Sequence, residues 1–148
     1  MNFSEIPWIA KHTELYRSDP EKAKMWDASE AGGQGQLETL LLTTIGRKSG
    51  EPRPSPLIFS EVDGAYAVVA SKGGWPTHPH WYLNLVENPR CDLMVGVKQI
   101  AAQARVLTGE ERARVWTIMC GIYPPYADYQ KATEREIPVV MLEPVAAS

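Results

Sequence analysis

The sequence predicts an α+β protein in which a small, mainly antiparallel β-barrel carries helices on its outside. Residues 37–107 contain several short runs with period-two patterning and many β-branched residues, joined by hairpin-type turns. One short helical stretch interrupts these runs, and a longer one follows them. The five or six strands therefore do not alternate regularly with helices, so repeated βαβ units and a doubly wound parallel sheet are not predicted.

Residues 1–31 are predicted to be helical, because their apolar side chains fall near one helix face. Asp19 and Pro20 mark the start of a second helix, since Asp caps a helix N-terminus and Pro suits its first position. A glycine-rich connector follows. We therefore expect an N-terminal helical segment with its connector over residues 1–36 and a barrel domain over residues 37–148. The segment is expected to pack on the barrel rather than on a membrane or partner, because its apolar face is short.

Turns and breaks place the strands of the barrel. Asp63 and Gly64 form a hairpin signal, and Lys98 marks a second tight connection. Between them, one or two helical turns begin at His80 and end at Pro89, which cannot continue a helix. The predicted strands are residues 37–45, 56–62, 65–71, 92–97, 99–107 and 137–142.

Two helices are predicted after the fifth strand. Thr108 and Glu111 match a capping box, so a helix begins there. Pro125 follows a proline that ends this helix, and it opens another that carries Tyr126 and Tyr129. The side chains of the longer helix that face inward are predicted to be Val115, Trp116, Met119 and Ile122.

Composition narrows the classes of function. The chain has 148 residues, of which 44% are hydrophobic and 22% charged, as in a soluble globular protein that needs no staples. The net charge of −3 does not favour a nucleic-acid partner, so any anion site must be local. Cys91 and Cys120 fit no metal or redox spacing and are expected to be reduced thiols. Without a membrane-length apolar run or a signal peptide, the expected location is the cytoplasm.

A basic loop stands out at residues 46–53, between two predicted strands. Glycines at both ends of a short segment allow its backbone N–H groups to turn toward one point. The hydroxyl of Ser49 and three cationic side chains surround that point, against one carboxylate, Glu51. The loop is suited to a phosphate, and a solvated hairpin tip is an equally good interpretation of the loop alone. The cationic side chains are Arg47, Lys48 and Arg53.

Other site types are less well supported. A P-loop needs a lysine after its second glycine, whereas Glu51 follows Gly50 here. His78 and His80 have no third ligand nearby, so no metal site is predicted. Cys120 lies in an apolar helical stripe, which favours a buried thiol over a nucleophile. No pair of acidic residues stands out for acid–base catalysis.

The remaining features favour a flat, anionic cofactor. A second glycine-rich strand end follows Ser71, and a short helix carries Trp81 and Tyr82. Tyr123, Tyr126 and Tyr129 form a further aromatic group within residues 123–129. Taken singly, each aromatic residue is more often core than ligand contact, but together they can wall a planar ring.

Six segments together carry a resemblance to a known family. They are Leu-Leu-Thr-Thr-Ile-Gly-Arg-Lys-Ser-Gly-Glu-Pro-Arg (41–53), Val-Ala-Ser-Lys-Gly-Gly (69–74), His-Pro-His-Trp-Tyr-Leu-Asn-Leu (78–85), Asn-Pro (88–89), Tyr-Pro-Pro-Tyr-Ala-Asp-Tyr-Gln (123–130) and Arg-Glu-Ile-Pro-Val-Val (135–140). In these segments the chain resembles the deazaflavin-dependent nitroreductases, which are split-barrel oxidoreductases found mainly in actinobacteria such as mycobacteria. The resemblance spans about residues 37–143.

The resemblance implies a split β-barrel of the FMN-binding, flavin-reductase-like type. It also implies an oxidoreductase whose hydride donor is the reduced 8-hydroxy-5-deazaflavin coenzyme F-420. The acceptors it implies are planar electrophiles: nitroaromatic compounds such as nitroimidazoles, quinones such as menaquinone, or activated double bonds of unsaturated lactones and coumarins such as aflatoxin-type compounds.

Site residues follow from the same resemblance. The implied cofactor-binding residues are Arg47, Lys48, Ser49, Arg53, Pro54, Ser55, Pro56, Leu57, Ile58, Val69, Ala70, Ser71, Lys72, Gly73, His80, Trp81, Tyr82, Leu83 and Asn84. The implied catalytic residues are Tyr126, Ser71, Tyr123 and Tyr129. Tyr126 or Ser71 would hydrogen-bond developing negative charge or relay a proton, with solvent as the alternative proton source.

Two other functions stay open from the sequence. One is an FMN-dependent reductase or oxidase on the same barrel, and the other is a carrier that binds a cofactor or a lipid-like molecule without turnover. Expected partners are a small planar acceptor and a second copy of the chain in a homodimer. The N-terminal helix is a candidate for peripheral contact with the inner face of the plasma membrane.

Overall fold

The structure is a computed structural model that describes residues 7–27, 36–71 and 78–145. Its helices are α1 (Pro7–Ser18), α2 (Pro20–Ala23), α3 (His80–Glu87), α4 (Gly109–Ile122) and α5 (Pro125–Lys131). Its strands are β1 (Met25–Asp27), β2 (Gln36–Ile45), β3 (Pro52–Ile58), β4 (Ser60–Val62), β5 (Ala65–Val69), β6 (Arg90–Val95), β7 (Lys98–Val106) and β8 (Val139–Pro144). Predictions for residues 1–6, 28–35, 72–77 and 146–148 lie outside the described residues.

The sheet closes on itself through one bent stretch of chain. The strand order is β1-β2-β6-β7-β8-β5-β4, every pairing is antiparallel, and β3 also pairs with β2. Only Phe59 separates β3 from β4, yet β3 pairs with β2 and β4 pairs with β5 at the far end of the order. The stretch therefore connects β2, the second strand of the order, with β4 at its far end. This confirms the predicted α+β, antiparallel split-barrel fold.

Alternate residues of the strands supply two separate cores. In β5 the even-numbered side chains face the barrel interior and the odd-numbered ones face α4 and α5, so the whole strand is buried. Helix α3 adds Trp81 and Leu85 to the interior cluster, which places this helix against the inside of the barrel. On α4, Val115 and Met119 are fully buried as predicted. Trp116 and Ile122 are half-buried at the edge of the other core, which lies between β5 and helices α4 and α5.

The N-terminal segment is tied to the sheet by hydrogen bonds and a strand pair. Tyr16 is fully buried, and its hydroxyl donates to the carbonyl oxygen of Thr39 on β2. His12 Nε2 lies 2.8 Å from the carbonyl oxygen of Ala23. None of the helices in the described ranges has the length and apolar character needed to span a membrane. The division of the chain into residues 1–36 and 37–148 stays a prediction.

The prediction of helix throughout residues 1–31 is wrong at β1. Met25 pairs with Glu38, so the backbone of residues 25–27 bonds to the edge of β2 instead of continuing α2. Local helical patterning competes here with unpaired N–H and C=O groups on a neighbouring strand, and satisfying these groups outweighs propensity. The predicted cap of α2 is confirmed, since the Asp19 side chain accepts from Lys22 N at 3.3 Å.

The predicted strand at residues 56–62 is wrong at its start and in its continuity. Strand β3 begins at Pro52, and the break at Phe59 separates β3 from β4. Proline occupies positions 52, 54 and 56 of β3 and is usually unfavourable within a strand. Residues two apart, however, direct their backbone N–H and C=O groups to the same edge of the strand. The missing N–H groups therefore fall on the edge away from β2, where a strand tolerates proline.

Two smaller expectations, on a turn and on a helix cap, also need correction. The turn between β6 and β7 lies at Gly96 and Val97 rather than at Lys98, because Gly96 adopts a left-handed φ of 58°. Thr108 occupies the N-cap of α4 as predicted, but its side chain makes no capping hydrogen bond; Gly109, which follows it, has a φ of 61°.

The last predicted strand starts two residues late, at Val139 instead of Ile137. The backbone N–H of Ile137 donates to Gln130 Oε1 at 2.9 Å, so α5 and not the sheet satisfies it. The proline at position 138, which has no N–H, lies between these two residues.

Candidate active site

The basic loop is a tight turn between β2 and β3. Gly46 N donates to the carbonyl oxygen of Glu51 at 2.8 Å, and Gly50 N donates to that of Gly46 at 2.8 Å. A Cβ on Gly46 would lie 2.6 Å from Ser49 Oγ, and Gly50 has a φ of 73°. The backbone of the loop therefore favours glycine at position 50, and a side chain at position 46 would displace the Ser49 hydroxyl.

Arg47 anchors this loop to α3. Its backbone N–H and its Nη1 both donate to Asn84 Oδ1, at 3.2 and 2.9 Å. Its Nη2 lies 3.3 Å from His80 Nδ1, one helical turn earlier on α3. The loop and the helix thus form one polar unit, although 37 residues separate Arg47 from Asn84.

Asn84 is buried beneath the loop. Trp81, Asn84 and Leu85 share the inward face of α3, as their spacing along a helix requires. Asn84 is 3% exposed, and its Nδ2 donates to Thr44 Oγ1 at 3.1 Å. Thr44 is 1% exposed and follows Leu42 by two residues on β2, so it continues the inward face of that strand. Both ends of the Asn84 amide are therefore used within the protein.

The loop carries positive charge that is only partly balanced. Arg53 Nη2 donates to Ser49 Oγ at 3.3 Å and lies 4.0 Å from Glu51 Oε2. Within the part of the chain that the structure describes, neither Arg47 nor Lys48 forms an ion pair with a carboxylate. A local excess of positive charge in a protein of net charge −3 is suited to binding an anion.

Arg135 holds the end of β5 against the start of α3. Its Nη1 donates to the carbonyl oxygen of Ala70 at 3.2 Å and lies 3.0 Å from His78 Nδ1, and its Nη2 donates to that of Ser71 at 2.7 Å. The His78 ring lies 4.8 Å from the Tyr82 ring between centroids. Burial, together with the positive charge of Arg135, lowers the pKa of His78. The imidazole is thereby kept neutral and able to accept from the guanidinium.

An aromatic cluster joins α4 and α5 on the other side of β5. Tyr123 and Tyr126 are buried, and their rings lie 4.9 Å apart in an edge-to-face arrangement. The hydroxyl oxygens of Tyr123 and Tyr129 are 3.1 Å apart, and Trp116 lies 6.4 Å from Tyr126 between ring centroids. Burial is the main cause that raises the pKa of both Tyr123 and Tyr126, so these phenols are neutral at ordinary pH.

The implied site residues fall into neighbouring groups. Val69 packs in the same buried cluster as Tyr123 and Tyr126, and Ile58 lies against it. Leu57, Trp81 and Tyr82 contact the barrel interior instead, so the inner face of α3 and the aromatic cluster lie on different faces of the sheet. Pro54, Ser55 and Pro56 lie within β3, which pairs with β2 along its whole length, and Leu83 is half-buried on α3. Lys72 and Gly73 lie outside the described residues.

Sequence reasoning assigned no site role to Thr44, His78 or Arg135. Arg135 belongs to a segment that carries the resemblance, which was the available signal. His78 belongs to another of these segments, and from the residues alone a helix-entry or surface role was favoured over a metal ligand. Thr44 could have been noticed as a polar residue in register with the inward Leu40 and Leu42. Among the described residues, no group of three or more His, Cys, Asp or Glu side chains is placed to hold a metal ion.

Comparison with known proteins identifies the family. The sequence profile described as F420H(2)-dependent quinone reductase matches residues 15–144. The chain belongs to this family. A Mycobacterium tuberculosis protein named F420H(2)-dependent quinone reductase is 34% identical over 146 residues, covering 91% of this chain and 95% of that protein. The predicted membership of the deazaflavin-dependent oxidoreductases is confirmed.

Two solved structures support the assignment. One, described as an F420-H2 dependent reductase (FDR-A), is 48% identical with a TM-score of 0.66 and covers 71% of this chain and 93% of its own. The other, described as a domain-swapped dimer, is 39% identical with a TM-score of 0.69 and covers 93% of this chain and 98% of its own. The family is one of oxidoreductases that use the reduced deazaflavin coenzyme, as the sequence resemblance implied.

The described residues fit such a coenzyme on their own chemistry. Arg47 and Lys48 offer cationic donors without carboxylate partners in the described part of the chain. Gly46, which has no side chain, lets Ser49 and Arg53 lie close to the loop backbone beside them. A phosphate or carboxylate is the complementary group. The helix that bonds to this loop through His80 and Asn84 also carries Trp81 and Tyr82.

Proposed function

We propose that the protein transfers a hydride from reduced coenzyme F-420 to a quinone. The observation that carries the proposal is the Arg47 guanidinium, held on α3 with no carboxylate partner among the described residues. Membership of the quinone reductase family favours a quinone over the other planar acceptors, nitroaromatic compounds and activated double bonds.

In this proposal the basic loop binds the anionic end of the coenzyme. Arg47, Lys48 and Arg53 supply charge-assisted hydrogen bonds, each worth about 1.5–3 kcal/mol, and Ser49 adds a hydroxyl. Strand β3 lines the same groove, and the residues of α3 and the end of β5 face the ring. When bound, the coenzyme supplies the hydride, so the protein's task is to orient two flat molecules and to limit water between them.

The aromatic cluster would lie on the acceptor side and assist proton transfer. Tyr126 is the proposed donor, with Tyr123 and Tyr129 beside it and Ser71 as the alternative. The raised pKa of Tyr126 keeps its phenol protonated and able to donate a hydrogen bond to a developing quinol oxygen. Replacement Tyr126→Phe should keep coenzyme affinity and reduce turnover, by about 10²–10⁴-fold if the relay is essential. Unchanged turnover would remove Tyr126 from this role and leave Ser71 or solvent.

Coenzyme titration followed by an acceptor panel tests the function. Quenching of tryptophan fluorescence is measured with the deazaflavin and, separately, with FMN. The decay of the reduced coenzyme's absorbance is then followed with menaquinone-type, nitroimidazole and unsaturated-lactone acceptors. We expect tight deazaflavin binding and fastest decay with the quinone. Preferential FMN binding would favour the flavin alternative, and binding without oxidation of the coenzyme by any acceptor would favour a carrier.

Assembly and location are part of the proposal. One relative is described as a domain-swapped dimer, and we propose a homodimer here too. Light scattering during size-exclusion chromatography would give its mass. For a quinone that resides in the membrane, we propose a cytoplasmic protein that contacts the inner membrane face through α1. Co-sedimentation with anionic vesicles, compared with a chain that begins at residue 20, tests that contact.

A further inference from the structure

We infer that Asn84 is a positioning residue for Arg47 rather than a ligand of the coenzyme. The inference rests on the proposed binding of the coenzyme's anionic end at the basic loop, and it deepens that proposal. The sequence resemblance grouped Asn84 with residues that touch the ligand. The geometry points instead to a neutral buried amide that holds the Arg47 guanidinium in place and leaves its charge available for a phosphate.

The first argument is the way in which Asn84 is used. A single oxygen, Oδ1, accepts from both the backbone N–H and Nη1 of Arg47, so one atom sets the position of both ends of that residue. The amide cannot turn freely, because Nδ2 donates to Thr44 Oγ1 at 3.1 Å. With Asn84 3% exposed and Thr44 1% exposed, water does not compete for the bond between these two side chains.

The second argument is the charge of the partners. Asn84 is neutral, and His80 Nδ1, which lies 3.3 Å from Arg47 Nη2, accepts only as a neutral imidazole. A guanidinium has five N–H groups, and these two contacts use two of them. Because both partners are neutral, the guanidinium keeps its single delocalised positive charge, and its other three N–H groups form no further hydrogen bond to the residues that the structure describes. A carboxylate at position 84 would form an ion pair with the guanidinium and cancel the charge that attracts the phosphate.

The test is the nearly isosteric replacement Asn84→Asp. We expect the Kd of the deazaflavin to rise about 10–100-fold, since a charge-assisted contact is lost while the shape is kept. The affinity should also depend less on salt than in the wild type, because one cation has been neutralised. At saturating coenzyme, kcat with the quinone should change by less than about threefold. A residue with a merely structural role would not alter the salt dependence.

A matched control and a second variant keep the inference falsifiable. Asn88→Asp introduces the same charge at the C-cap of α3, where Asn88 Oδ1 accepts from the nearby Arg90 N, and should leave the Kd within about twofold. Thr44→Val frees the Asn84 amide without changing charge, and should weaken binding a few-fold with the same salt dependence. If Asn84→Asp does not fold, judged by circular dichroism, Thr44→Val decides the outcome.

The failures of the two proposals are distinguishable. Coenzyme binding without quinone reduction would overturn the proposed function and leave the role of Asn84 standing. An Asn84→Asp protein that binds the coenzyme as tightly as the wild type, or no more weakly than Asn88→Asp, would overturn the inference. Inorganic pyrophosphate, titrated against the Arg side-chain NMR signals, serves if the coenzyme does not bind. Equal responses of wild type and Asn84→Asp to pyrophosphate would likewise contradict it.

Discussion

The basic loop and the aromatic cluster are held in place by different interactions. The loop, residues 46–53, is held by hydrogen bonds to α3 and keeps charged side chains at the surface. The cluster of Tyr123, Tyr126 and Tyr129 is held by burial, with Tyr126 packed among the side chains that join α4 to β5 and β8. A change in the loop should therefore alter ligand affinity with little effect on folding. A change in the cluster should alter stability first.

Replacement of a buried aromatic residue should give the largest effect. Tyr126→Ala should lower the free energy of unfolding by about 3–5 kcal/mol, because it leaves a cavity within the cluster under α4. Tyr129→Ala, at a half-buried position, should cost clearly less. Lys48→Ala in the loop should stay within about 0.5 kcal/mol of the wild type. Urea unfolding measures all three, and equal losses at Tyr126 and Lys48 would remove the contrast between the regions.

Charge reversal in the loop should give the largest effect on binding. Lys48→Glu should raise the Kd of the deazaflavin about 10–100-fold, because it replaces attraction to an anion by repulsion. The relative rates with different acceptors should stay the same, since those depend on the other region. The matched control is Lys98→Glu, at the exposed start of β7. If this control weakens binding equally, the effect belongs to net charge and not to the loop.

Arg135 joins the two regions, since it follows α5 in the chain and reaches the end of β5 and the start of α3. Arg135→Met should lower stability by about 1–3 kcal/mol, because the carbonyl groups of Ala70 and Ser71 lose their donor. Arg105→Met removes only exposed ion pairs with Glu111 and Glu143, and should cost no more than about 1 kcal/mol. Thermal unfolding compares the two. A smaller loss at Arg135 would indicate that water replaces its hydrogen bonds.

A pH effect at His78 should be the smallest of these effects. Its pKa is lower in the folded protein than in the unfolded chain, so folding favours the neutral imidazole. The stability from this group is fully present above about pH 6.5 and is lost as the pH falls through the lowered pKa. His78→Gln should therefore flatten the decline of Tm between pH 7 and pH 5. An unchanged slope would show that other groups cause the decline.

The sequence predicted the positions of helices and strands better than it predicted which strands pair with each other. The strand before the loop, the helix at His80 and the proline-initiated α5 were placed nearly as observed, because turns, caps and periodicity are local signals. The error at β1 arose because Met25–Asp27 pairs with the next strand, β2, and helical patterning within residues 1–31 does not show that pairing. The start of β3 was predicted at residue 56 and not at Pro52, because alternating prolines fit a strand only where one edge of that strand is unpaired.

The sequence by itself determined the family, the antiparallel barrel and the basic loop, since each is written in contiguous residues. Only the tertiary structure decided that Arg47 is held by Asn84 and Thr44, and that Arg135 ties Ser71 to His78. These contacts join residues 37 to 64 positions apart, and a hydrogen bond depends on ångström-scale distances that no residue pattern specifies. The direction of the Asn84 amide, and with it the free charge of Arg47, is a property of the folded chain alone.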